Sequence, residues 1–236
     1  MLNEKKIFRR ATLATVITST YPMIVAGCYF GITPWNMNRL SMDESDFSFA
    51  ILLFGIFFII SNQIAGRMLV PKYGTKLIMS LAFPIVTFAT LLSVISPSYF
   101  YFLLSFIPLG IGWGASGPIG GIHSQLIEQH FKKIITPYYA MGFNIGILVG
   151  GALAGIIMRN NYEPYLSFFI LSFLSIFVSF FVYSFGLPRN LDFKGKGEKF
   201  KIPETNVLLF GLLLFFVFGS GGIIMDWSTL WLSKDL

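Results

Sequence analysis

The sequence predicts an all-α transmembrane protein, and three observations support that fold class. Hydrophobic residues make up 55% of the 236 positions and charged residues only 12%. The mean hydropathy is +0.72, far above that of an ordinary water-soluble domain. The apolar residues also form separate long runs, and a helix needs about 20 such residues to cross a bilayer. The composition therefore excludes a soluble globular fold.

Seven runs of at least 18 mostly apolar or small residues follow one another along the chain, which predicts seven spanning helices. The first run follows a basic N-terminal stretch, and the second follows an acidic turn. Basic, proline-containing or polar turns separate the remaining runs. In chain order the predicted spans cover residues 11–32, 47–66, 77–95, 99–127, 138–158, 165–186 and 207–230.

The positive charges predict the orientation of these spans. With seven spans, the two termini lie on opposite sides of the membrane. A cytoplasmic N-terminus places all but three of the 17 Lys and Arg residues in the cytoplasm, the exceptions being Arg39, Arg159 and Lys234. We therefore expect a multi-pass protein of the inner or plasma membrane with a cytoplasmic N-terminus. The net charge of +6 is then a topology signal, and nucleic acid is excluded as a partner.

The first span has an alternative interpretation as a bacterial lipoprotein signal. A basic start, an apolar run and the string VAGC at residues 25–28 fit such a signal. However, the apolar run continues past Cys28 to Ile32, which favours a retained span. Cys28 is the single cysteine, so an internal disulfide or a thiolate metal cluster is excluded.

A polar, basic segment at residues 187–206, LPRNLDFKGKGEKFKIPETN, divides the chain into unequal parts. Charged segments of this kind are typical of solvated linkers. We therefore expect an N-terminal six-helix transmembrane bundle at residues 1–186, a cytoplasmic basic linker at 187–206 and a seventh transmembrane helix at 207–236.

The turn between the second and third spans, GRMLVPKYGTK, resembles a pattern of the major facilitator superfamily of secondary transporters. That pattern is Gly-x-x-x-Asp-Arg/Lys-x-Gly-x-Arg/Lys at the same place. Lys72, Gly74 and Lys76 match it, and Gly66 is displaced by one position. Pro71 replaces the family's aspartate, so the charge relay attributed to that aspartate is not implied here.

This resemblance implies the N-terminal six-helix bundle of a major-facilitator-type fold, built from two inverted three-helix repeats. The seventh helix would then begin a second half. Because such carriers have about six spans in each half, we expect the chain to be a fragment, a truncated gene product or one part of a split carrier with a separate C-terminal half.

A second likeness is to the fucose-permease and YbjJ-like branches of that superfamily. In those branches a loop containing Trp and Arg follows span one, and an Asp-Trp-Ser string lies in span seven. The matching positions here are Trp35, Arg39, Asp226, Trp227 and Ser228. The likeness ends at span four, where fucose-type carriers have an embedded acid and this chain has Ala115 and other small residues.

Spans four and five each carry small residues three or four positions apart, on one helical face. Such faces let helix backbones approach closely in lipid. We therefore expect spans four and five to pack against each other through these glycines, with Pro118 making span four bendable beside a pathway. The helix-packing glycines are Gly110, Gly114, Gly117 and Gly121 in span four and Gly142, Gly146 and Gly150 in span five.

Another face of span four carries Trp113, Ser116, Gly120 and His123, and polar groups at membrane depth usually face the bundle interior. The resemblance implies that spans one, four and seven line the solute path. Aromatic packing, an interfacial position for His123 or Asp226, and interhelical hydrogen bonding by Asn144 are the alternatives. The candidate pathway residues are Tyr21, Tyr29, Trp35, Trp113, Ser116, His123, Asn144, Asp226 and Trp227.

Together these features favour a secondary active transporter of a small organic solute, sugar-like or amphipathic, that works by alternating access. The expected partners are this solute, a coupling proton or cation as in a symporter, the lipid bilayer and a separate C-terminal half. No cofactor, metal or catalytic residue is expected. Two alternatives remain open: an inactive truncated membrane protein, and an intramembrane metal-dependent enzyme using His123, His130 and Glu128.

Overall fold

A computed structural model describes residues 2–192 and 204–235, and most of these residues are helical. Seven helices among the described residues are long and apolar enough to cross a membrane. This described part of the chain contains no strand. The chain is therefore a multi-pass, all-α membrane protein, and the predicted fold class is confirmed.

In chain order the helices of the described residues are α1 Leu2–Gly31, α2 Thr33–Leu40, α3 Glu44–Ile64, α4 Val70–Tyr73, α5 Thr75–Ile95, α6 Tyr99–Phe131, α7 Thr136–Arg159, α8 Pro164–Phe185 and α9 Thr205–Asp235. A π-helical turn at Ala65–Leu69 joins α3 to the short helix α4. The segment around Trp35, expected to be a loop, forms the separate helix α2. The predicted spans one to seven correspond to helices α1, α3, α5, α6, α7, α8 and α9.

Local sequence signals explain where several helices begin. Asp43 and Asp46 form a reciprocal capping box at the start of α3: each carboxylate accepts a hydrogen bond from the other residue's backbone N–H. Proline near the start of α7 and α8 suits the first helical turn, where a backbone N–H has no intrahelical acceptor. These signals fix the entry of the chain into the spans that follow.

The bundle has two ends, which we name by their charge. The basic face carries the N-terminus, the turns between α4 and α5 and between α6 and α7, and residues 187–192. The opposite face carries the α1–α2, α5–α6 and α7–α8 connections. The most extensive contacts pair α1 with α7, α3 with α6, and α5 with both α6 and α8. In the α1–α7 pair and in the α3–α6 pair, the two helices run parallel to each other.

The predicted pairing of spans four and five is wrong. Gly110 and Gly114 of α6 face α3, where a Cβ at Gly110 would lie 2.5 Å from the Phe54 carbonyl oxygen, and one at Gly114 would overlap the Phe58 carbonyl oxygen. At Gly117 and Gly121, by contrast, no described atom of a neighbouring helix lies within 4 Å of the Cβ position. These two glycines therefore form no helix seam.

The glycines of α7 contact α1 instead of α6. A Cβ at Gly146 would overlap the Thr20 carbonyl oxygen, and one at Gly150 would overlap the carbonyl oxygen of Ile24. A Cβ at Gly142 would lie 2.5 Å from the Ser19 hydroxyl. Each glycine face thus meets a parallel helix rather than its sequence neighbour, because a small-residue face specifies close approach but not the partner.

The beginning of the predicted solvated linker is packed against the basic face. Leu187 is fully buried, and Asp192 is only 5% exposed. Residues 193–203 of that linker lie outside the described residues. The expectation of a solvated segment is therefore wrong for Leu187 and Asp192, whereas Arg189 and Asn190 between them are exposed.

Candidate functional site

A cavity of about 230 Å³ lies inside the bundle. Helices α1, α3, α5, α6 and α7 all contribute to its wall. The lining residues are Met23, Ala26, Tyr29, Phe30, Phe47, Ile51, Phe54, Thr90, Phe106, Leu109, Trp113 and Phe143.

Three of these helices contribute one face each. Met23, Ala26 and Phe30 recur at helical spacing along α1, as Phe47, Ile51 and Phe54 do along α3 and Phe106, Leu109 and Trp113 along α6. Trp113 lies 14 residues from the start of α6, about 21 Å into the bundle from the opposite face. The cavity therefore reaches from the opposite face to the middle of the bundle.

Aromatic rings outside the cavity support the rings that line it. Phe168 packs edge-on against Tyr29 with 6.3 Å between ring centroids, and Trp227 packs edge-on against Phe47 at 5.9 Å. Two further wall rings have neighbours on their own helices: Phe54 with Phe58 and Phe106 with Phe102. The two edge-to-face contacts favour fixed orientations of Tyr29 and Phe47, and the two tilted pairs pack around Phe54 and Phe106. Much of the aromatic wall is therefore preorganised.

Below the cavity, toward the basic face, α6 and α7 meet through Tyr139. Its hydroxyl donates a hydrogen bond to the Gly117 carbonyl oxygen at 3.3 Å. A Cβ at Gly120 would lie 2.8 Å from the same hydroxyl oxygen. Gly120 thus makes room for a side chain of α7, and this contact forms a layer between the cavity and the basic face.

His123 lies one layer further toward the basic face and is fully buried. The Leu187 backbone N–H donates to His123 Nε2 at 3.1 Å, so Nε2 carries no proton. His123 Nδ1 lies 2.9 Å from the Thr15 hydroxyl, which itself donates to the Ala11 carbonyl oxygen. The neutral ring with its proton on Nδ1 satisfies every partner. His123 therefore joins α1, α6 and the start of the linker, outside the cavity.

Residues 187–192 bind the ends of two spans at the turn between α4 and α5. The Asp192 carboxylate accepts hydrogen bonds from the Thr75 backbone N–H at 3.1 Å and from the Thr75 hydroxyl at 2.7 Å. The Arg189 guanidinium donates to the Pro71 and Lys72 carbonyl oxygens at 3.3 and 2.9 Å. An anion thus lies at a helix N-terminus and a cation at a helix C-terminus, as the helix dipoles favour.

Gly74 makes this arrangement possible. Its φ of +87° belongs to the left-handed region that favours glycine. A Cβ at Gly74 would overlap the Asp192 carboxylate and lie 2.6 Å from a guanidinium nitrogen of Arg189. The glycine of the predicted loop motif therefore has a steric role. We name Gly74, Thr75, Arg189 and Asp192 the basic-face clasp.

The other residues of the predicted loop motif lie at its edges. The Lys72 ammonium lies 4.9 Å from the centroid of the Tyr73 ring, and the Lys76 ammonium lies 4.8 Å from that of Tyr183. Gly66 lies in the π-helical turn, and apart from the local backbone no described atom comes within 4 Å of its Cβ position. These residues do not contact the cavity.

Of the predicted pathway residues whose side chains the structure describes, Tyr29 and Trp113 alone line the cavity. The Tyr21 hydroxyl donates to the Leu171 carbonyl oxygen of α8. The Ser116 hydroxyl donates at 3.4 Å to a carbonyl oxygen of its own helix. Trp35 packs edge-on against Tyr165, with 5.3 Å between ring centroids. Three of the predicted pathway side chains are therefore packing groups outside the cavity.

The remaining pathway candidates lie on α7 and α9. Asn144 is exposed and donates to the Ala140 carbonyl oxygen of its own helix at 2.9 Å. Trp227 contacts the cavity wall from outside through Phe47. The side chain of Asp226 lies outside the described residues.

The sequence prediction missed most of the cavity wall, notably Phe47, Ile51, Phe106 and Phe143. Their helical spacing was present in the sequence, but nearly every position of a spanning helix is apolar. The helical periodicity of apolar residues therefore could not distinguish positions that face a cavity from positions that face lipid.

The alternative metal site at the end of α6 is not formed. His123 is buried with both ring nitrogens in contact with hydrogen-bonding partners, whereas His130 is exposed. Glu128 accepts hydrogen bonds from the backbone N–H groups of Ile135 and Thr136 at 2.6 and 2.7 Å. Within residues 2–192 and 204–235, no group of three or more His, Cys, Asp and Glu side chains is placed to hold a metal ion.

Comparison with known proteins supplies a family match. The sequence profile described as Major Facilitator Superfamily matches residues 6–236. A Yersinia pestis protein described as an uncharacterized MFS-type transporter is 19% identical over 207 residues. That alignment covers 86% of this chain and 52% of the relative. The chain therefore spans about half the length of this curated relative.

Proposed function

Because the chain belongs to the Major Facilitator Superfamily, we propose that it forms one wall of the solute path in a secondary active transporter. Family membership identifies the chain as part of a membrane transporter and not an enzyme. The observation that supports the finer proposal is the aromatic cavity between α1–α7 and α3–α6. Transport by alternating access would expose this cavity first to one side of the membrane and then to the other.

In this proposal the opposite wall of the path comes from a further bundle of helices. It belongs either to a longer polypeptide or to a separate C-terminal half. The apolar faces of α3 and α7 leave surface for such a contact, because most of each helix is exposed on the bundle. The carried molecule is a small organic solute, sugar-like or amphipathic.

We propose that the basic face lies on the cytoplasmic side of the cell membrane, because Lys and Arg residues are enriched in the cytoplasmic loops of membrane proteins. Maleimide labelling of intact cells tests this orientation. Cys28 is buried, so we expect little background labelling of the wild-type chain. An impermeant maleimide should label Ser41→Cys, at the opposite face, in intact cells, and Lys133→Cys only after permeabilisation. The reverse pattern would contradict the orientation.

Transport is tested in proteoliposomes containing the chain with and without the candidate C-terminal half. We expect solute flux only with both halves, and we expect Trp113→Ala to reduce it. Phe177→Ala is the matched control, because Phe177 is 71% exposed on α8, a helix that contributes no residue to the cavity wall. Absence of flux from the two halves together, across a panel of sugars and aromatic amphiphiles, would favour the inactive membrane protein.

We further propose coupling to a proton or cation, with Asp226 as the candidate carboxylate. His123 is less suited, because its ring nitrogens lie against Thr15 and Leu187 inside the packed bundle. The Asp226→Asn variant should lose solute-driven acidification and retain exchange of solute between equal concentrations. Loss of both activities, or of neither, would contradict the assignment.

A further inference from the structure

The chemistry of the cavity wall narrows the class of solute, an inference that rests on the proposed transport path. Seven of the twelve lining residues are Phe, Tyr or Trp. Of the described residues that line it, none is Asp, Glu, Lys, Arg or His. The Thr90 hydroxyl already donates to the Val86 carbonyl oxygen at 2.8 Å. Its oxygen can still accept a hydrogen bond, and Tyr29 and Trp113 carry the other side-chain polar atoms of this wall.

This wall disfavours sugars and charged solutes. Each sugar hydroxyl that enters an apolar site without a hydrogen-bond partner costs about 1 to 3 kcal/mol. Three polar side chains cannot provide partners for all the hydroxyls of a sugar. An unpaired ionised group is costlier still, because the wall supplies no opposite charge. An uncharged apolar ring, in contrast, gains from contact with aromatic faces and edges.

The volume sets the size of the bound group. An engineered apolar cavity of about 150 Å³ in another protein binds benzene. The cavity here, at about 230 Å³, is larger by roughly half. A second fused ring accounts for that difference, so the space suits a group of indole or naphthalene size.

The rigidity of the wall favours a flat ligand of fixed shape. Four of the wall rings are braced by aromatic neighbours: Tyr29 by Phe168, Phe47 by Trp227, Phe54 by Phe58 and Phe106 by Phe102. A preorganised site loses little conformational entropy on binding, but it adapts poorly to other shapes. We propose that this cavity binds an uncharged, planar aromatic group of up to two fused rings.

Equilibrium dialysis of indole against the 236-residue chain in lipid nanodiscs tests the proposal. Protein-free nanodiscs correct for partition into lipid. We expect a saturable component that uncharged 2-naphthol displaces. Glucose and the charged indole-3-acetate should not displace it. Uptake equal to that of protein-free discs, or displacement by glucose, would overturn the proposal.

Two cavity-filling variants locate the site. Ala26→Phe on α1 and Ile51→Phe on α3 should each weaken indole binding at least tenfold, because the added ring occupies the cavity. Ala152→Phe is the matched control on the exposed surface of α7 and should bind like wild type. Gel filtration and circular dichroism identify the variants that fold. Unchanged binding in a folded filling variant would place the indole elsewhere and contradict the inference.

The binding assay needs no transport, so the two proposals can fail separately. Saturable indole binding without flux in proteoliposomes would leave the cavity assignment standing and refute transport. Flux of sugars without indole binding would support the transporter and refute the aromatic ligand.

Discussion

Removing the Asp192 carboxylate tests the basic-face clasp. In Asp192→Ala, the fully buried Thr75 loses the acceptor of both its backbone N–H and its hydroxyl. The loss of a helix cap costs about 0.5 to 2 kcal/mol, and a hydrogen bond to a charged group contributes about 1.5 to 3 kcal/mol. These effects overlap at one residue, so we expect the free energy of unfolding to fall by about 3 kcal/mol.

The Asp192→Asn variant separates geometry from charge. Its amide oxygen can still accept from Thr75, but the attraction of a negative charge to the N-terminus of α5 is lost. That attraction is worth about 0.3 to 1 kcal/mol, rising to about 2 in partly buried sites. We therefore expect Asn to cost about 1 kcal/mol, well below the cost of Ala.

Denaturant unfolding in mixed micelles gives the free energies, and hydrogen exchange locates the effect. A local opening cost lowered by about 2.8 kcal/mol corresponds to a hundredfold faster exchange at the Thr75 and Lys76 amides. Glu163→Ala is the matched control, because Glu163 precedes α8 without a side-chain cap. Equal stability and equal exchange in Asp192→Ala and Glu163→Ala would refute the reasoning.

Three further predictions concern helix contacts. Gly150→Ala should lower the free energy of unfolding by about 1 to 3 kcal/mol by overpacking α7 on α1. Gly151→Ala is the control and should be neutral or stabilising, because apart from the local backbone no described atom lies within 4 Å of its Cβ position. Equal melting temperatures for the two variants would contradict the α1–α7 seam. Tyr21→Phe should lower the free energy of unfolding by about 1 kcal/mol by removing the hydrogen bond to the Leu171 carbonyl oxygen. Tyr138→Phe, at an exposed position, should leave it unchanged. A larger loss of stability in Tyr138→Phe than in Tyr21→Phe would refute the contact. Arg39→Gln should lower the free energy of unfolding by about 2 kcal/mol, because the guanidinium donates to the Ser93 and Ser96 carbonyl oxygens at the end of α5. Hydrogen exchange of the amides at the start of α6 should become faster. If Arg39→Gln were no less stable than Arg159→Gln, that role of Arg39 would be contradicted.

The spans were predictable because length and apolarity alone define them. Each predicted span overlaps a helix, and span four starts at Tyr99 in both the prediction and the structure. The clasp was not predictable, because Asp192 binds Thr75 from 117 positions away. No local pattern in the linker distinguishes this acid from a solvated one. The prediction therefore treated a packed segment as an exposed one.

The glycine faces show a different limit of sequence reasoning. Their spacing predicts that a backbone comes close, which holds for Gly110, Gly114, Gly146 and Gly150. It does not identify the partner, and sequence neighbours were the wrong choice. Two inverted three-helix repeats explain the observed pairs. Span one of the first repeat meets span five of the second, and span four of the second meets span two of the first.

These pairs also explain where the cavity lies. A Cβ at Gly27 of α1 would lie 2.5 Å from the Ile147 carbonyl oxygen of α7. The two helices are therefore in backbone contact and cannot approach each other more closely. Gly112 makes a similarly close approach of α6 to α5, with the Cβ position 2.7 Å from Val86. The cavity lies between these two close-packed units. We therefore expect backbone movement to change its width mainly when α1–α7 moves as a body against α3–α5–α6. A bulky residue at a seam glycine would then alter the cavity without lining it.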